Sequence, residues 1–186
     1  MKPFLITSVG RTATKWLAWA MNKSDRWIVE HEPKAYPIHP CRGAVSPKHL
    51  YQMVKGLALP DKSLLDVGVI IRDPIAQAIS IQNRAKVLKA PCEELYNLHA
   101  PEYFRILNLL LERGAKLIKF GDMTTDKDYL KGVMQAFGVS DVEINEAIMM
   151  ERKNVATSYP VTVLSGKMKR MTKEFAVPFW EKWRGE

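Results

Sequence analysis

Three groups of residues have types and spacings that do chemistry. The first is Gly10-Arg11-Thr12-Ala13-Thr14-Lys15-Trp16, two cations and two hydroxyls placed between the apolar run Phe4-Leu5-Ile6 and apolar residues at helical spacing, Ala13, Leu17, Ala20 and Met21. A strand, a turn and a helix in that order bind anions, because the first helical N–H groups lack intrahelical partners and the helix dipole is positive there. GxxxxGK[ST] cannot be laid on the stretch, so it is not a Walker A loop. The plainer reading is a β-turn-α unit whose Arg11 and Lys15 are solvated. The second group is Arg72-Asp73-Pro74 with Ser80. Arg72 ends the apolar run Asp66 to Ile71, and proline at a first helical position starts a helix that carries Ser80. The third is Glu30-His31-Glu32 before Pro33. It sits where a strand ends, which is where α/β folds keep their chemistry.

The elements that position these groups follow from hydrophobic patterning. Strands are expected at Phe4–Ile6, Trp27–Val29, Asp66–Ile71 and Lys116–Phe120, the third being a buried parallel type. The second strand is expected beside the first. Tyr36 to Ser46, with Pro37, Pro40 and Gly43, reads as an irregular loop. Ser46-Pro47 caps a helix from Lys48 to Lys55. The helix after Pro74 is expected to turn Ile75, Ile79, Val87 and Leu88 inward. Pro101 opens a helix through Phe104, Leu107, Leu110 and Leu111 that stops at Gly114, after a shorter piece from Pro91 to Leu98. Thr125 to Asp128 and Ser140 to Glu143 read as capping boxes for two further helices. Strands alternating with helices make a parallel α/β sheet the expected fold.

Arg11-Thr12-Ala13-Thr14-Lys15-Trp16 resembles the 5′-phosphosulfate loop of the sulfotransferases that use 3′-phosphoadenosine 5′-phosphosulfate (PAPS), of the form (K/R)-(S/T)-G-T-x-(W/L), with Ala13 in place of glycine. Arg72, Asp73, Pro74 and Ser80 match that family's 3′-phosphate motif in type and spacing. A weaker likeness runs from Lys119-Phe-Gly-Asp-Met to Phe137-Gly-Val, with Gly121 where glutamate is common. The resemblance covers about residues 4 to 139. It implies a P-loop-type three-layer α/β fold, whose central, mostly parallel sheet has about four to five strands flanked by helices. The implied activity is transfer of a sulfuryl group from PAPS to a hydroxyl or amine, with no metal. In these roles Gly10 to Trp16 hold the 5′-phosphosulfate, Arg11 stabilises the leaving oxygen with help from Lys15, and Arg72 with Ser80 holds the 3′-phosphate. The C-terminal cations Lys167, Lys169 and Arg170 would complete that subsite, with Arg152-Lys153 the competing pair. The base is Glu32, His31 or Glu30.

The whole chain bounds these readings. Its 186 residues suit a single domain, 1–186, with a basic C-terminal segment at 151–186 that holds eight Lys and Arg against four acids, half of the net charge. The net charge of +8 favours anionic partners. Cys41 and Cys92 form no disulfide framework or zinc spacing, and the four histidines are scattered. No apolar run reaches membrane-spanning length, and no secretory leader is evident, so a cytoplasmic setting is expected. Two rivals remain: a P-loop nucleotide kinase or hydrolase, which needs the missing GK[ST], and a non-catalytic basic nucleotide- or nucleic-acid-binding protein. The basic residues show no interleaving with aromatics over a long face, so nucleic acid is not expected. Trp180 and Trp183 read as packing residues at helical spacing.

Overall fold

The computed structural model describes residues 1–155 and 163–185. Phe4-Leu5-Ile6 forms the strand on which the sheet is centred: β1 (Phe4–Thr7) pairs in parallel with β3 (Arg42–Val45) on one side and β4 (Asp66–Ile71) on the other. β2 (Ile28–His31) and β5 (Lys116–Lys119) are the edges, giving a five-stranded parallel sheet of order β2-β3-β1-β4-β5. All five C-terminal ends lie along one side. The strand order reverses around β1, so a crevice opens beyond its carboxyl end.

Alternation along the strands sends side chains to two cores, one on each sheet face. Leu5, Val67, Val69 and Ile71 face helices α2 (Pro47–Val54), α4 (Cys92–Glu112) and the C-terminal helices. Phe4, Ile6, Ile70 and Ile118 face α1 (Thr14–Met21), α6 (Lys127–Ala136) and α7 (Glu146–Val155). The architecture is therefore three-layered. No helix among the described residues is long and apolar enough to cross a membrane.

Several expectations change in the folded chain. β3 occupies residues read as an irregular loop, and it separates β2 from β1 by one strand. Arg42-Gly43-Ala44-Val45 has weak β propensity by itself; tertiary packing supplies the reason for the strand. The Phe4 ring lies where any side chain on Gly43 would stand, and that ring packs against Trp27 and Phe137 at centroid distances of 5.1 Å each. Glycine admits the aromatic cluster, and the ladder with β1 then fixes the strand.

The inner face of α3 (Pro74–Leu88) is Gln77, Ala78, Ile81 and Gln82, while Ile75, Val87 and Leu88 are exposed. The buried amides of Gln77 and Gln82 are partnered. Gln77 Nε2 donates to the Val9 and Gly10 carbonyls, and Gln82 bonds the Val163 carbonyl and the Ser165 N–H. Hydrogen bonding removes the penalty of burying them.

Residues 92 to 112 form one helix with Pro101 inside it, not two pieces. Its face of Tyr96, Ala100, Tyr103, Phe104 and Leu107 is buried. That continuous burial offsets the single backbone hydrogen bond that proline removes. The caps also shift. Asp126, not Thr125, accepts from Asp128 and Tyr129 at the start of α6, and Asn145 accepts from Ile148 at the start of α7. Ser46 caps α2 as expected, and Asp73 caps α3, accepting from the Ala76 N–H. The chain ends in α8 (Gly166–Met171), a π-helical turn (Thr172–Ala176) and α9 (Val177–Trp183); Trp183 packs in the core and donates to Asn108.

Candidate active site

α1 begins at Thr14, one residue after Ala13, the first apolar position of the helical spacing, which leaves Arg11, Thr12 and Ala13 as a loop beyond β1. Arg11 and Ala13 both take left-handed backbone, with φ of 68° and 54°. The alanine therefore occupies a conformation that suits glycine, at a cost of roughly 1–2 kcal/mol. Ala13 is also the helix cap and has no side chain to accept from the first turn. The N–H groups of Thr14, Lys15 and Trp16 thus lack intrahelical acceptors, and among the described residues no side chain caps them.

The loop is held from the β4–α3 side. Gln77 takes the carbonyls of Val9 and Gly10, and Arg72 Nη1 donates to the Arg11 carbonyl at 2.5 Å. Ser8 and Thr12 share a hydroxyl hydrogen bond of 2.6 Å inside the turn. The Arg11 side chain crosses to α3, where its Nε donates to Ser80 Oγ at 3.1 Å. Arg72 also lies over the Phe120 ring, 4.4 Å from its centroid, at the start of α5 (Phe120–Thr125). The two basic motifs, far apart in sequence, are thus in direct contact.

A cavity of about 740 Å³ opens over these groups. Gly10 to Trp16, His31, Glu32, Arg72 and Ser80 all line it. His31 and Glu32, neighbours in sequence, both line it because Glu32 turns into left-handed backbone with φ 57°. In continuous extended chain they would point to opposite sides. His31 Nε2 stands 3.3 Å from Thr14 Oγ1, at the mouth of the loop. Burial pushes the His31 pKa below its usual 6.5; Glu32 opposes that shift and Lys15 adds to it.

Trp16 is buried, its indole donating to the Ile148 carbonyl at 2.9 Å, so it anchors α7 to the loop. Lys167, Lys169 and Arg170 lie exposed on α8, outside the cavity lining, with Met168 and Met171 turned inward instead. Arg152 and Lys153 fall outside the described side chains. Glu30 is exposed on β2 and does not line the cavity.

Sequence reading missed several lining residues. Arg84 follows Ser80 by one helical turn, and that spacing would have found it. Lys48 and Tyr51 on α2, and Leu95, Tyr96 and Tyr103 on α4, have no local signal, because only the packing of α2 against α4 brings them to the opening. The Tyr103 pKa is pushed up to about 12, by burial first and then by Tyr51, so its hydroxyl keeps its proton at neutral pH.

Among solved structures, the chain is similar to a sulfotransferase from Alicyclobacillus acidocaldarius: TM-score 0.60, 11% identity, with 100% of this chain and 95% of that one covered. The fold is a sulfotransferase fold. Mouse sulfotransferase SULT7A1, solved in complex with PAP, aligns at a TM-score of 0.48 and 14% identity over 98% of this chain and 84% of that one. No protein-family model matches the chain, and neither does any curated protein. Within the sulfotransferase fold, the Arg11 loop lies beyond the central strand, and Arg72 leaves the strand next to it.

Proposed function

We propose that this chain is a single-domain PAPS-dependent sulfotransferase acting on a hydroxyl or amine acceptor. The observation that carries the reading is the Arg11–Ser80 hydrogen bond, which joins the 5′-phosphosulfate-like loop to the 3′-phosphate-like motif over one cavity. Among the described residues, five cations line that cavity, Arg11, Lys15, Lys48, Arg72 and Arg84, against one carboxylate, Glu32. The uncapped first turn of α1 adds backbone donors, so the residues present fit a donor with phosphates at both ends.

When bound, the donor supplies the sulfuryl group: the acceptor's oxygen or nitrogen bonds to sulfur as the bond from sulfur to the 5′-phosphate oxygen breaks. The amides of Thr14 to Trp16 hold the 5′-phosphate. The Arg11 guanidinium, assisted by Lys15, meets the negative charge that grows on the departing oxygen. Arg72 and Ser80 hold the 3′-phosphate. His31 takes the acceptor's proton at Nε2, the nitrogen nearest the loop. Its lowered pKa keeps it neutral, and so able to accept, at neutral pH. The tyrosine wall gives an apolar bed for the acceptor's carbon skeleton.

Calorimetric titration of the purified protein with 3′-phosphoadenosine 5′-phosphate (PAP) and, separately, with ATP and magnesium tests this reading. PAP should bind at least about tenfold more tightly, the worth of one charge-assisted hydrogen bond. In Arg72→Ala, PAP binding should weaken by about 1.5–3 kcal/mol. Tighter binding of ATP than of PAP would transfer the chain to the kinase and hydrolase class.

A further inference from the structure

We propose that Arg84 is the second cation of the 3′-phosphate subsite; this deepens the donor reading above and rests on it. A ribose 3′-phosphate is a dianion near neutral pH, with a second pKa of about 6. Arg72 has prior commitments, since it donates to the Arg11 carbonyl and lies on Phe120. Arg11 is bonded to Ser80 on the side of the loop. A dianion leaving water needs more than one cation and a hydroxyl to replace its hydration.

Arg84 meets that need by position. It lies four residues beyond Ser80 on α3, one turn or about 6 Å along the axis, on the same helical face. Both residues line the cavity. Arg84 is half-buried and has no hydrogen-bond or ion-pair partner among the described residues. Cys92, Leu95 and Tyr96 from the next helix, α4, line the same cavity.

The other cations whose side chains are described are less well placed. Lys48 follows β3, across β1 from Arg72. Lys15 is exposed in the first turn of α1. Lys167, Lys169 and Arg170 are exposed on α8 outside the lining.

The test is calorimetric titration of the parent, Arg84→Gln and Arg84→Lys with PAP and with adenosine 5′-phosphosulfate, which lacks the 3′-phosphate. Arg84→Gln should weaken PAP by about tenfold or more and leave adenosine 5′-phosphosulfate within about twofold. Arg84→Lys should keep most of the preference, and its unfolding midpoint provides a check on folding independent of the Gln variant. The parent's preference for PAP should grow between pH 5 and 7 as the phosphate ionises, and grow less in Arg84→Gln. Unchanged PAP affinity in Arg84→Gln, or equal losses of both nucleotides, would overturn the assignment. A parent protein without preference for PAP would overturn the donor reading itself, a result visible before any substitution is made.

Discussion

On the β4–α3 flank of the cavity, Arg72, Ser80 and Arg84 come from one continuous stretch, residues 72–84. On the β2–β3–α2 flank, His31 and Glu32 come from an edge strand, whereas Lys48 and Tyr51 follow a strand that intervenes between it and the centre. The first flank is all cation and hydroxyl, and a strand and its helix suffice to aim it. The second holds the titratable groups, and parallel pairing of β2 with β3 is required to bring them to the loop. On the proposed reading, binding charge sits on the locally built flank and proton transfer on the flank that tertiary contacts assemble. Arg11 belongs to neither, since it springs from the loop between them and bonds to Ser80.

Substitutions on the titrating flank should have the largest effect. His31→Asn should lower turnover by on the order of a hundredfold or more and abolish the ascending limb of the pH–rate profile. Burial depresses the His31 pKa, so in the parent that limb should be centred below pH 6.5, rate being lost as pH falls and the imidazole gains its proton. Glu32 opposes the depression, so Glu32→Gln should keep the limb and move it to lower pH. Loss of the limb in Glu32→Gln, with His31→Asn retaining it, would exchange the two roles.

At the junction, Arg11→Ala should lower turnover by about a hundredfold with a smaller change in PAP affinity, because the cation acts on charge that develops late. Single-turnover rates beside PAP titrations separate the two effects. Normal turnover in Arg11→Ala, with Lys15→Ala inactive, would give the loop's catalytic cation to Lys15.

The smallest effect is expected at the loop backbone, which both flanks share. Ala13→Gly should raise the unfolding free energy by about 0.5–1 kcal/mol, relief of left-handed strain exceeding the added chain entropy of glycine. Urea unfolding measures it. A loss of stability would mean that the Ala13 methyl packs more favourably than its φ costs.

What could be read from the sequence divides along the same line. Arg72-Asp73-Pro74 and the strand before it were legible because each signal is local: an apolar run and a proline that starts a helix. The strand-loop-helix around Arg11 was legible for the same reason, whereas the glycine-type position held by Ala13 came from the resemblance alone. β3 was not legible, since Gly43-Ala44 has little strand propensity until Phe4 lies over the glycine. The inward amides of α3 were equally hidden. Gln77 reads as a surface residue until the Val9 and Gly10 carbonyls accept from it, and those carbonyls are almost seventy positions away in the chain. His31 and Glu32 are candidates in the sequence by type and by their place at a strand end; the left-handed turn at Glu32 decided that both reach the cavity. Short-range propensities and capping are written in consecutive residues, so the sequence alone determined the strand-loop-helix units and the charges they carry. Which units are neighbours, which polar groups are buried, and which tyrosines wall the opening depend on contacts between distant segments, and only the tertiary structure decided them.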